Sequence, residues 1–113
     1  MRAVGYYEPQ DIDAPTALLD LEVPEPVPGP RDLVVRVRAV AVNPVDTKLR
    51  RRRAAKDGVP VILGWDASGE VAATGHECRL FRVGDRVFYA GARDRPGCNS
   101  EYHTVDERLV ALM

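Results

Sequence analysis

Leu63-Gly64-Trp65-Asp66-Ala67-Ser68-Gly69-Glu70-Val71 is the stretch whose reading decides the fold of this chain. Gly64 and Gly69 bracket an aromatic, a carboxylate and two small residues. Glycine tolerates positive φ and lets a second backbone come close. The pattern predicts a tight turn that sets Trp65 and Asp66 beside a cleft, followed by a strand from Glu70. Trp65 is the only tryptophan of the protein. Taken alone, the stretch also fits a plain loop-to-strand corner with Trp65 plugging the core.

Upstream, Asp32–Val42 has the clearest strand pattern. Leu33, Val35, Val37, Ala39 and Ala41 alternate with Val34, Arg36, Arg38, Val40 and Val42. The second set starts charged and turns apolar, which predicts a strand running from an exposed edge into a covered region. Asn43-Pro44 ends it. Val45–Arg53 reads as a short helix, with Asn43 as N-cap and Pro44 in the first turn. Lys48, Arg50, Arg51, Arg52, Arg53 and Lys56 form a basic cluster around the helix end, where cations are favoured. No aromatic residues are interleaved with them, which argues against nucleic-acid binding.

Before Asp32, Met1–Tyr7 and Ala17–Val23 read as strands, with a polar turn at Asp11–Pro15. Pro24, Pro26, Pro28 and Pro30 predict an extended surface loop, because such spacing fits neither a helix nor a central strand. After the deciding stretch, strands are expected at Glu70–Thr74, Val87–Ala90 and Ser100–Val105, and a last one at Leu109–Met113. Many short strands with Gly/Pro turns predict a mainly β fold, a small, partly open β-barrel with one or two short helices.

The totals bound the function. A chain of 113 residues suits one domain. Sixteen Lys and Arg against seventeen Asp and Glu leave a net charge of −1, so no global field recruits nucleic acid or an anionic membrane. No apolar run is long enough to span a bilayer, and the N-terminus lacks the apolar core of a signal peptide, so the expected location is cytoplasmic. Cys78, Cys98, His76 and His103 are four possible metal ligands. Their spacing departs from the pairs of structural zinc sites, which predicts half-buried or surface thiols and solvated histidines.

Taken in order, Asp32–Asn43, Pro44-Val45-Asp46-Thr47-Lys48, Leu63–Val71, Gly84-Asp85-Arg86-Val87 and Gly97-x-x-Ser100-Glu101-Tyr102 resemble the GroES-like N-terminal domain of the medium-chain dehydrogenase/reductase superfamily. The resemblance covers essentially the whole chain, 1–113, and is nearest to the zinc-independent quinone oxidoreductases, including proteins labelled zinc-type alcohol dehydrogenase-like. Zinc-dependent relatives carry a ligating cysteine at the position of Asn43 and a histidine at that of Trp65. Asparagine is a poor zinc ligand and an indole N–H is only a donor, so the resemblance implies no metal here.

The branch also implies a chemistry, hydride transfer from NADPH to a quinone or to the β-carbon of an enone. By that resemblance Asn43 lies in the cleft near the nicotinamide, Asp46 is the acid of the following helix turn, and Lys48 replaces a cleft tyrosine. Trp65 would form an apolar wall and Asp66 a supporting acceptor. Read from the residues alone, Asn43 also fits a helix cap, Asp46 a first-turn acid, Lys48 a surface charge and Trp65 packing. The family continues into a Rossmann domain, and no Gly-x-Gly-x-x-Gly occurs in this sequence. The expectation is therefore the substrate-side domain of an NADPH-dependent quinone or enone reductase, inactive and without cofactor when alone. The alternative is a stand-alone GroES-like module that binds a partner or a second copy without catalysis.

Overall fold

The computed structural model describes residues 1–113. Two short strands, β1 (Arg2–Gly5) and β2 (Leu19–Glu22), form an antiparallel pair. The main sheet is built from β3 (Asp32–Ala41), β4 (Asp66–Thr74), β5 (Arg86–Ala90), β6 (Tyr102–Asp106) and β7 (Val110–Leu112). Its order is β6-β3-β4-β5-β7, and every pairing is antiparallel. One helix, α1 (Pro44–Arg52), follows β3, and a single 3₁₀ turn at Glu107–Leu109 leads into β7. The architecture is the expected mainly β one, with sheets left open at β6 and β7. No helix is long and apolar enough to cross a membrane.

The deciding stretch departs from the expected turn-then-strand layout. β4 begins at Asp66, four residues before the expected Glu70, so only Leu63–Trp65 forms the corner. Val59–Leu63, which leads into it, is not a strand. Val61 makes a lone antiparallel bridge to Tyr6, and Leu63 accepts the Asn99 N–H. Gly69 lies where β4 crosses closest to β3, and a Cβ there would collide with the Arg36 carbonyl. That close approach, not a turn, is what demands glycine at 69.

β3 reverses the expected gradient. Leu33 and Val35 are fully buried, whereas Val40 is exposed and Val42, just beyond the strand, is 77% exposed. The covered end is the first one, because β6 lies beside Asp32–Arg36 and stops there. The register of β3 on β4 also shifts between Val37 and Ala39. Val35 faces Val71 and Val37 faces Gly69, but after the shift it is Val40 that pairs with Ala67. Directly paired residues share a sheet face. Arg38 is thus an extra residue that moves Val40 onto the face of Val35 and Val37, and Ala39 off it.

The core has two parts. Leu33, Val35, Ala67, Val71, Val87, Tyr89, Cys98 and Val105 fill the interior of the main sheet. Tyr6, Val61, Leu63 and Trp65 form a second cluster against Leu49 of α1. Each fully buried Leu or Val among them contributes about 1.5–3 kcal/mol. Two expected surface residues belong inside: Cys98 is fully buried, and so, nearly, is His103. Burial pushes the Cys98 thiol up to about 12. Glu107 in the 3₁₀ turn is also fully buried. Burial alone would raise its carboxyl, but hydrogen bonds from the Leu80 and Arg79 N–H groups and from Arg31 hold it below its ordinary range.

Candidate functional site

The site grows from the junction of β3 and α1. Asn43 occupies the N-cap with extended backbone, and Pro44 opens the helix with the φ a first turn needs. Asp46, one turn in, points back. Its Oδ2 accepts the Asn43 N–H at 2.7 Å, while its Oδ1 accepts the Gly64 N–H at 3.0 Å. Asp46 is only 6% exposed. A single buried carboxylate therefore ties the start of α1 to the Gly64 corner, eighteen positions later. Hydrogen bonds to a charged acceptor contribute about 1.5–3 kcal/mol each.

The Asn43 side chain is directed elsewhere. Its Nδ2 donates to Asp66 Oδ2 at 2.8 Å. A carboxylate oxygen only accepts, so the amide nitrogen, not its oxygen, faces Asp66. One amide hydrogen is used there and the other stays available. Gly64 has φ of 97°, and a Cβ there would lie 2.5 Å from Asn99 Oδ1 and 3.1 Å from Cys98 Sγ. The corner is pinned from that side too, by the Cys98 N–H on the Gly64 carbonyl (2.7 Å) and the Asn99 N–H on that of Leu63 (3.0 Å).

Of the residues singled out in the sequence, the fold thus gathers Asn43, Asp46 and Asp66 around Gly64. Trp65 turns its ring into the second core cluster and is 4% exposed. Its backbone carbonyl accepts the Gly91 N–H at 2.6 Å, and its Nε1–H is buried without an acceptor. The Arg53 guanidinium lies 5.9 Å from the ring centroid, within cation–π range. Lys48 is exposed on α1 and makes neither a hydrogen bond nor an ion pair.

A second polar group lies under the sheet. His103 Nε2 is 2.9 Å from the Pro96 carbonyl and Nδ1 is 2.8 Å from the Tyr89 hydroxyl. A carbonyl cannot donate, so Nε2 carries the proton and Nδ1 accepts from Tyr89. The two rings stack at 5.7 Å. Burial lowers the His103 pKa and raises that of Tyr89, which keeps both neutral. Spacing in the sequence hides this arrangement. Only the position of His103 on the inward register of β6 points to it.

An antiparallel open sheet, a capped helix and a corner clamped by one carboxylate are the features of a GroES-like domain. Residues 29–113 match the family described as alcohol dehydrogenase GroES-like domain. The chain belongs to that family, within the medium-chain dehydrogenase/reductase superfamily. A zinc-type alcohol dehydrogenase-like protein of Staphylococcus aureus is 39% identical over 111 residues, covering 98% of this chain and 32% of that protein. A quinone oxidoreductase of Pseudomonas aeruginosa is 44% identical over 86 residues, 75% of this chain and 26% of that protein. The crystal structure of a Rhizobium etli protein, a candidate zinc-dependent alcohol dehydrogenase, superposes with TM-score 0.95 at 50% identity, covering 99% and 32%. A mycobacterial protein solved with NADPH gives 0.83 at 29%, covering 100% and 34%. The chain spans about a third of the length of these proteins.

Proposed function

We propose that this chain is the acceptor-side part of a zinc-independent, NADPH-dependent reductase of quinones or enones. The observation that carries the reading is the Asn43–Asp66 pair. An amide held at 2.8 Å by a carboxylate keeps one N–H aimed in a fixed direction, suited to the acceptor's carbonyl oxygen. NADPH, when bound, supplies the hydride. Asn43 donates its remaining N–H to the oxygen on which charge develops. Asp66 holds that amide in orientation, and Asp46 holds the backbones on which both stand. Val40 and Val42 leave apolar surface next to Asn43, which suits a flat, weakly hydrated acceptor.

The donor set does not fit zinc, whatever the labels of relatives. Asn43 offers only a neutral amide oxygen, the Trp65 indole is donor-only and buried, and both His103 nitrogens are occupied. No three His, Cys, Asp or Glu side chains converge to offer a metal its ligands. No step is therefore routed through a metal. These 113 residues also lack a glycine-rich phosphate loop, so the pyrophosphate of the cofactor has to be held elsewhere, and the chain alone is expected to be inactive.

A chimera tests this. The matching part of the Pseudomonas aeruginosa quinone oxidoreductase is replaced by this chain, and NADPH oxidation with 1,4-benzoquinone is followed. The expected result is turnover that survives EDTA and falls in Asn43→Ala. Turnover that needs added zinc, or that ignores Asn43, overturns the reading. A chimera that folds and binds NADPH but never reduces a quinone or enone favours the non-catalytic module.

A further inference from the structure

The end of α1 concentrates positive charge that no ion pair in the protein answers. Lys48, Arg50, Arg51, Arg52, Arg53 and Lys56 are six cations in nine positions of a chain whose net charge is −1. The ion pairs of the molecule use other residues, such as Arg31 with Glu107 and Arg95 with Asp32. A helix C-terminus offers the equivalent of about half a negative charge, far too little to balance them.

Two of these arginines are nevertheless fixed in place. Arg50 Nη1 donates to the Gln10 carbonyl at 2.6 Å, and Arg53 Nη1 donates to that of Arg93 at 3.1 Å. Arg53 is held a second time by the Trp65 ring. A neutral carbonyl orients a guanidinium without cancelling its charge, and each arginine keeps further N–H donors. Ordering of this kind is what a binding site needs in advance of its ligand.

A groove of about 360 Å³ opens beside Arg53. Lys56 and Arg95 also line it, with Val59, Val61 and Pro96 among the apolar walls. Arg95 is answered by Asp32 at 2.9 Å, so Arg53 and Lys56 carry the free charge. Asp94 is the one carboxylate on the lining. We propose that this groove binds a small phosphorylated molecule through its phosphate group. A doubly charged anion can take both free cations against the single opposing carboxylate, and the guanidinium fork matches phosphate oxygens. The volume leaves room for a small organic remainder on the apolar walls. The groove meets the corner only at the back of the Trp65 ring, shares no lining residue with Asn43, Asp46 or Asp66, and does not rest on the proposed reductase activity.

The test is a titration of the isotopically labelled chain with inorganic pyrophosphate, set against sodium chloride at matched ionic strength. The expected result is a saturable shift of the backbone amides of Arg53–Lys56 and of Asp94 and Arg95. Arg53→Gln and Lys56→Gln each weaken it roughly tenfold, the loss of about one charge-assisted hydrogen bond. Lys56 is exposed, so its variant keeps the fold even if that at Arg53 does not. Asp94→Asn tightens binding, and Arg2→Gln, at a distant arginine, leaves it unchanged. Shifts that never saturate, that spread evenly over all arginines, or that saturate with unchanged affinity in Lys56→Gln overturn the site.

Discussion

The two halves of β3 share one strand and a similar apolar composition, yet they live in different environments. Leu33 and Val35 sit at zero exposure between β4 and β6, while Ala39, Val40 and Ala41 lie open to solvent. The residue types of the second half are as apolar as those of the first. The difference lies in the neighbour, since β6 ends its pairing at Arg36 and nothing in these 113 residues covers the second half of the strand. An apolar pattern states what a segment can bury. It does not state whether a partner is present to bury it.

The contrast is sharpest in stability. Leu33→Ala is expected to cost about 2–5 kcal/mol in urea unfolding, and Val40→Ala to stay within about 0.5 kcal/mol. Comparable losses at both positions would mean that the open half is covered in solution. Next comes the clamp that ends the open half. Asp46→Asn leaves one buried N–H, that of Asn43 or Gly64, facing an amide group that cannot accept. The expected loss is about 1–3 kcal/mol, and faster hydrogen exchange at Gly64 is its local mark.

The covered half brings a pH dependence that the open half lacks. Burial depresses the folded-state pKa of His103 below its unfolded value of about 6.5. Between those two values the unfolded chain binds the extra proton. Stability is then complete above about pH 6.5 and declines as pH falls below it toward the folded-state value. Urea midpoints between about pH 7.5 and 5, above the carboxylate range, should show the decline, and His103→Gln should flatten it. The smallest effect belongs to Val42→Lys. Unfolding should change by less than about 0.5 kcal/mol, while light scattering at high protein concentration falls if the bare face drives association.

How far these features are legible in the sequence depends on the distance between partners. The strand at β3, the helix after Asn43-Pro44 and the strand at β5 obey rules that act over a few residues, and the order of motifs carries the family. Asp46 is legible as a first-turn acid, but its second partner, Gly64, lies eighteen residues on. Glu107 looks like part of a surface turn because Arg31 and the Arg79 and Leu80 amides that enclose it are far away in the chain. His103 reads as solvated for the same reason, since Tyr89 and Pro96 become its neighbours only when the sheet forms. Trp65 shows a different difficulty. A corner residue can face a cleft or the core, and only the meeting of Tyr6, Val61 and Leu63 decides between them.

The extra residue at Arg38 works like a shift of reading frame for side chains. Ahead of it the odd-numbered residues of β3 face inward, and past it the even-numbered ones do. Removing Arg38 would close the bulge and restore one continuous phase, with Ala39 still on Ser68 and Val40 still on Ala67. Every later residue up to the amide of Asn43 would keep its face and its partner. The chain can thus lose a position here and still deliver the corner to the same place, because the unpaired residue is slack that the ladder on either side does not use.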